Sequence, residues 1–500
     1  MNNQYESPLL TRYASPEMSA IFSERSTVLL WRRIWLALAE SERELGVPIA
    51  EEQIAALRAN LERIDFARAA ELEGELRHDV MAHIHAFAEA APRARAILHL
   101  GATSADITDN ANLLQLREAL DLVRRRLLDV LRPLADFAWA WRAFPALGFT
   151  HFQPAQPTTV GKRACLWIQD LLFDLAETER RLEELRLRGF KGATGTQASF
   201  LELLEGDPTK VEELERRVCA RLGFDRVYPV TGQTYPRKVD ALVLSALAGI
   251  GQSCAKFAHD LRLLQHLREV EEPFGERQVG SSSMPYKRNP VRAERMSGLA
   301  RFLMVTVENA GWTAASQWLE RTLDDSANRR LALPESFLAA DALLVLYRGV
   351  AEGLQVRPRA IEARLRGELP FLASEVLLAE GVKRGGSRQE LHETLRRLAR
   401  AALDTDSAEP GSDSGRRRRA GTGRGSRRGG AADEPGERFL VGLAAAPDVP
   451  FGRAELDRLL DPAAFTGLAA AQVEQFLQEE VHPLLEARSQ LTARRAELAV

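Results

Sequence analysis

The residues able to do chemistry in this chain collect in a few short polar strings between long helical stretches. GSSSMPYKRNP (280–290) joins one glycine, three serines and two prolines to Lys287 and Arg288. Small residues make such a segment mobile, hydroxyls give it polar contacts, and its cations let it close over an anion. GFTHFQPAQPTT (148–159) sets His151 beside Thr150, Gln153 and Gln156, which can orient an imidazole. A lone histidine is more often structural than catalytic, and these neighbours bring the two readings level. GATSADITDN (101–110) supplies Thr103 and Ser104, followed by Asp106 and Asp109, at the start of a helical pattern. Hydroxyls and free N–H groups at a helix start suit a carboxylate or phosphate; simple N-capping would use the same residues.

ERTLDDSANRR (320–330) carries Arg321, Ser326, Arg329 and Arg330, and RYASPEM contributes Arg12 and Tyr13. Guanidinium groups combined with hydroxyls are the complement of a phosphate monoester. Taken singly, each of these arginines is more commonly a solvated surface charge. RHDVMAHIH (77–85) holds His83 and His85, but their spacing fits no helical ligand pair and no matching Cys or His cluster follows. No metal site is expected. A Walker-type phosphate loop, a dinucleotide-binding glycine pattern and a nucleophile elbow are all absent from the sequence. The inventory suits proton abstraction beside a carboxylate in an anionic substrate, with no cofactor, and leaves the substrate open.

These strings need helices to hold them. Leu113, Leu116, Leu120, Val123, Leu127, Val130, Leu134 and Phe137 recur at alternating spacings of three and four, a heptad seam between charged positions. Pro133 lies inside it and predicts a kink. Similar patterns run over about 165–187, 239–270, 291–309 and 331–353, and convincing strands are scarce. The fold class is therefore all-α, a subunit in three parts: an N-terminal helical domain (1–104), a central long-helix bundle (105–356) with the 280–290 loop, and a C-terminal helical domain (357–500). Coiled-coil-like seams predict oligomerisation; a monomeric bundle that satisfies its own seams is the alternative.

Residues 404–438 contain no aromatic and no aliphatic residue larger than alanine, so they cannot bury enough apolar surface to offset their ordering entropy. They read as a disordered insertion in the C-terminal domain. Its eight basic and seven acidic residues are segregated along the segment. The Arg-Gly tract allows weak nucleic-acid affinity, and a plain solvated insertion is the reading preferred. Across all 500 residues, 67 basic and 70 acidic side chains leave a net charge of −3, with 45% hydrophobic residues. That excludes a wholly disordered or collagen-like chain and a globally basic nucleic-acid binder. Three isolated cysteines provide no disulfide framework, the first residues do not resemble a secretory signal, and the longest apolar stretch, near 241–251, falls short of a membrane span. A cytoplasmic protein, with no membrane or nucleic-acid partner, is expected.

At these strings the sequence resembles the fumarase/aspartase superfamily, with GSSSMPYKRNP similar to its signature loop. RYASPEM, RHDVMAH, LGATSADITDN, GFTHFQPAQPTTVGKR, TGQTY, PYKRNP and TLDDSANRR together resemble the adenylosuccinate lyase family, particularly the form found in animals. The likeness covers nearly the whole chain except 404–438. It implies a homotetramer whose central helices form one shared bundle, with each active site built from three subunits. It also implies purine nucleotide substrates: adenylosuccinate, giving AMP and fumarate, and the succinyl-aminoimidazole carboxamide ribotide, giving its carboxamide and fumarate. Matched by motif, Ser281 resembles the general base and His151 the general acid. Thr103, Ser104, Lys287 and Asn289 match positions that bind the succinyl carboxylates. Arg77, His78 and Asp79 match a substrate-binding triplet, and Gln233 another contact. Arg12, Tyr13, Arg295, Arg321, Ser326 and Arg330 match the remaining substrate positions, mostly toward the phosphate. Another fumarate-releasing lyase, such as an argininosuccinate lyase, or a non-catalytic homologue using the Arg-Gly segment, are the alternatives.

Overall fold

The computed structural model describes residues 4–404 and 434–496. Five central helices carry the architecture: α1 (Ser104–Ala140), α2 (Val160–Glu184), α3 (Lys238–His266), α4 (Val291–Thr306) and α5 (Asp324–Ala351). Helix α1 starts where Thr103 donates its backbone N–H to the Asp106 carboxylate at 2.7 Å, a carboxylate at the third helical position satisfying a free donor. It then runs unbroken through Pro133 to Ala140. From Leu113 to Leu134 its seam residues are buried, and so are Leu122, Leu128 and Leu131 on its other sides. Helices of the same chain therefore satisfy the seam, so that stripe is not a surface left for another subunit.

Apolar surface is instead left elsewhere. Phe173 on α2 is 66% exposed, and Trp312 and Leu319, between α4 and α5, are 75% and 87% exposed. Helix α3 is long and apolar enough, by length and composition, to cross a membrane. Here its Leu244, Leu247, Ile250, Phe257 and Leu261 are packed into the core.

Side-chain pairs fix how the helices run. Arg237, just before α3, bonds Asp109 near the start of α1 and Asp325 near the start of α5, so these three helices begin at one end. Helix α2 runs against them, because Trp167 near its start donates to Asp260 near the end of α3 at 2.8 Å. The other end therefore gathers the start of α2, the loop after α3 and the start of α4. With about 1.5 Å of rise per residue, the 29-residue α3 separates the two ends by roughly 43 Å.

The 148–159 string, read as a loop, is largely a β-hairpin. Strands β1 (Pro145–Thr150) and β2 (Gln153–Thr159) pair antiparallel, with His151 and Phe152 as its two-residue turn. A second, minimal pair joins β3 (Val270–Glu271) to β4 (Gln355–Val356).

Packing divides the chain differently from the three ranges read above. One continuous core runs from Leu9 through the central helices and takes in Val473, Leu477, Val481 and Leu485 from the C-terminal segment. A separate small core contains Leu377, Leu395, Phe439, Leu443 and Leu456. The C-terminal range thus splits between its own core and the bundle, because Ala469–Phe476 and the turns after it carry an apolar stripe back to the central helices. Most of the 404–438 insertion, 405–433, lies outside the described residues. Its assigned end is too late: Pro435–Ala445 is a helix, started by a proline in its first turn. Arg438 in that helix donates to the Ala402 carbonyl at 2.7 Å.

Candidate active site

The end of the bundle where α1, α3 and α5 begin is organised by buried ions. Asp106 forms an ion pair with Arg188 and accepts from the backbone N–H groups of Lys191 at 2.8 Å and Gly192 at 3.2 Å. Asp109 takes Arg237 in a two-pronged contact at 3.0 and 3.1 Å and the Tyr235 N–H at 2.8 Å. Arg237 reaches Asp325 at 2.7 Å, and Arg329 reaches Asp240 at 2.7 Å and the Tyr235 hydroxyl at 2.5 Å. Burial opposes ionisation of Asp109, but the guanidinium groups of Arg237 and Arg329 prevail and hold its carboxyl below the ordinary value. Burial drives the Tyr235 phenol well above its usual range, so it stays a neutral donor to Asp240.

Around this lattice stand several expected site residues. Thr103 and Ser104 open α1. Gln233 is held by its backbone N–H on the Glu320 carbonyl at 2.9 Å, and a side chain at neighbouring Gly232 would meet that same residue's backbone at 2.6 Å. Arg321 lies 3.8 Å from Asp325, and Ser326 sits in the first turn of α5. Arg77 ends one helix in the left-handed conformation, with φ of 54°, and His78 caps the next by accepting the Met81 N–H at 3.3 Å. Asp79 bonds Arg330 at 2.8 Å, linking the N-terminal helices to α5 while Arg330 stays 71% exposed. Arg329, grouped with the phosphate-type arginines on sequence, is instead buried and committed to Asp240 and Tyr235. His83 is buried edge-on against Trp31. Among the described residues no cluster of His, Cys, Asp or Glu side chains is arranged to hold a metal ion.

His151, Ser281, Lys287 and Asn289 lie at the other end. Both residues of the hairpin turn have positive φ, 53° for His151 and 58° for Phe152. A two-residue hairpin turn of this kind requires that conformation, which side chains other than glycine and asparagine adopt at a cost. The turn sets the His151 ring on an exposed tip. In the 280–290 loop the Ser281 hydroxyl oxygen accepts backbone N–H groups from Met284 at 3.1 Å and Ser283 at 3.4 Å. Two donors aimed at one oxygen favour charge on it. The loop neck is closed by the Asn289 amide on the Gly280 carbonyl at 2.8 Å. Gly280 must be glycine there, since any side chain would run into the Lys287 carbonyl.

Three expected residues lie between the ends. Arg295 of α4 stacks over the Tyr13 ring, 5.8 Å from its centre, and Arg12 is exposed one residue earlier in the N-terminal turn Leu9–Tyr13. A single chain therefore does not bring the site residues together: Ser281 and His151 stand at one end, Gln233, Arg321 and Ser326 at the other. The supporting residues Arg188, Arg237, Asp240 and Asp325 were missed on sequence. Sequence offers little signal for them, because a charged residue within or beside an apolar stripe reads the same whether it is buried or solvated.

A long-helix bundle with a serine loop at one end and a buried lattice of aspartates and arginines at the other is an architecture of the lyase class. Residues 11–304 match the lyase family model, and a solved structure of the 3-carboxy-cis,cis-muconate lactonizing enzyme from Pseudomonas putida shares the fold. That structure has a TM-score of 0.78 at 24% identity and covers 96% of this chain and 99% of its own. Residues 370–476 match the model of the adenylosuccinate lyase C-terminus. Adenylosuccinate lyase of Saccharomyces cerevisiae is 47% identical over 489 residues, 97% of this chain and 96% of that one. That of Schistosoma mansoni is 45% identical over 484 residues, 96% of each. The chain belongs to the adenylosuccinate lyase family.

Proposed function

We propose that this protein eliminates fumarate from adenylosuccinate to give AMP, and from the succinyl-aminoimidazole carboxamide ribotide to give its carboxamide. It is a carbon–nitrogen lyase, and the near-full-length likeness to relatives named adenylosuccinate lyase supports that reading. Ser281 as alkoxide takes the proton from the succinyl β-carbon. The freed electron pair, held as an aci-carboxylate, then forms the carbon–carbon double bond as the carbon–nitrogen bond breaks. His151, protonated, gives its proton to the departing nitrogen. The observation that carries this assignment is the pair of backbone N–H groups on the Ser281 oxygen, since a serine needs such donors to act as a base near neutral pH.

Lys287, Asn289, Thr103 and Ser104 take the succinyl carboxylates in this scheme. Arg77, His78, Asp79 and Gln233 hold the rest of the substrate, and Arg12, Tyr13, Arg295, Arg321, Ser326 and Arg330 mostly its phosphate. The roughly 43 Å between the two ends favours sites completed by neighbouring subunits of a homotetramer. The exposed Phe173, Trp312 and Leu319 supply apolar surface for such an assembly. Three free, buried cysteines fit the reducing cytoplasm. The test is fumarate release from adenylosuccinate by the purified protein, followed by ultraviolet absorbance, with argininosuccinate offered in parallel. Cleavage of argininosuccinate alone would overturn the substrate assignment.

A further inference from the structure

Three acids fan out from the short strand β3 at the loop end. Glu271 pairs with Arg357 at 2.7 Å, and Glu269, just before the strand, lies 3.0 Å from Arg364. Glu272, just after it, is 2% exposed and points at the start of α4. Helix α4 begins directly after the 280–290 loop with Pro290 in the capping position, which has no side-chain acceptor to offer. The free N–H groups of Arg292 and Ala293 are taken instead by the Glu272 carboxylate, at 3.0 and 2.9 Å. A negative charge there also meets the positive end of the helix dipole.

The same residue is tied to the other side of the loop exit. Its backbone N–H donates to the Gln265 side chain at 3.1 Å, and the Gln265 amide donates to the Arg288 carbonyl at 3.0 Å. Asn289 lies between these anchor points and bonds Gly280, the residue before Ser281. A continuous chain of contacts therefore runs from Glu272 through the α4 N-terminus and Asn289 to the serine.

We infer that Glu272 is a positioning residue for the elimination, fixing the exit of the 280–290 loop so that Asn289 holds Ser281 in register. This rests on the role proposed for Ser281 above. Burying the cap outside the loop leaves the loop mobile while its exit stays anchored.

Glu272→Gln keeps the shape but leaves one helix N–H facing an amide donor. In the full-length protein it is expected to lower kcat roughly 10- to 100-fold, as for loss of a charged hydrogen bond, with KM within about twofold of wild type. Glu272→Asp should restore part of the loss. A second measurement needs no activity: trypsin should cut after Lys287 and Arg288 faster in Glu272→Gln than in wild type, without substrate. If Glu272→Gln does not fold, Gln265→Ala, which removes only the Arg288 tether and its partner contact, should speed the same cleavage and lower kcat several-fold. Wild-type kcat together with wild-type trypsin cleavage in the folded variant would overturn the inference, as would a lowered melting temperature with kcat unchanged. If the wild-type protein releases no fumarate, the proposed function fails, and the trypsin comparison still decides whether Glu272 anchors the loop.

Discussion

The two ends of the bundle solve different problems with different materials. Where α1, α3 and α5 begin, Asp106, Asp109, Asp240 and Asp325 are buried with Arg188, Arg237 and Arg329, and nearly every charge has a fixed partner. At the loop end Ser281, Lys287 and His151 stand on a loop and a hairpin tip with few fixed side-chain contacts. The difference teaches a division of labour. A rigid buried lattice can hold the helix starts and loops that would grip a substrate, because breaking it leaves uncompensated charge. Groups that must take and return protons gain from elements that move.

Chemistry should be lost most completely at the loop end. Ser281→Ala and His151→Ala are each expected to lower kcat by roughly 10²–10⁴-fold, with melting temperature nearly unchanged. Mixing Ser281→Ala with Gln233→Ala, one variant from each end, should restore activity in mixed oligomers if sites draw on different subunits. Verified mixed oligomers without activity would break the comparison at its root.

At the lattice end the loss should be of folding. Arg237→Ala strands Asp109 and Asp325, and unfolding free energy is expected to fall by about 3–5 kcal/mol. Chemical denaturation measures it. A variant as stable as wild type would mean that the lattice is not what holds this end.

Away from both ends, Glu42 gives a graded test of burial without a partner. It lies in the core with neither carboxylate oxygen hydrogen-bonded, and burial pushes its carboxyl from 4.5 up to about 9. Between those values the folded state keeps a proton that the unfolded state releases, so Glu42 makes stability fall as pH rises through that window. Glu42→Gln should remove that slope and be more stable than wild type at pH 8, by about 1–3 kcal/mol. Parallel melting curves for the two proteins across pH 5–9 would count against an uncompensated carboxyl.

How much of this was legible in the sequence divides along the same line. The loop-end residues stand in strings rich in Gly, Ser and Pro that interrupt helical periodicity, so Lys287 and His151 could be singled out directly, whereas Ser281 was separated from Ser282 and Ser283 only by the family resemblance. The hairpin around His151 was missed because its prolines and glycine mask the alternation of a strand. The lattice was largely invisible, since an isolated Asp or Arg in an apolar stripe is the same letter whether it is buried or solvated. Arg329 and Arg330 are adjacent in the chain, yet one is locked against Asp240 and the other reaches solvent. Only the angle of about 100° between successive helical positions separates them.

The contact between Asp79 and Arg330 tests that separation at its smallest scale. It resembles the lattice pairs in length, 2.8 Å, but Arg330 is mostly exposed, so the pair is worth little to folding. Asp79→Asn should change unfolding free energy by less than about 1 kcal/mol. If Asp79 serves to aim Arg330 at a substrate phosphate, the same change should raise KM several-fold while leaving kcat near wild type, because a ground-state contact is lost without touching proton transfer. A drop in stability like that of Arg237→Ala would instead make the pair an outlying part of the lattice. An unchanged KM would remove Asp79 and Arg330 from the substrate-binding set, leaving Arg321 and Ser326 to hold the phosphate at this end.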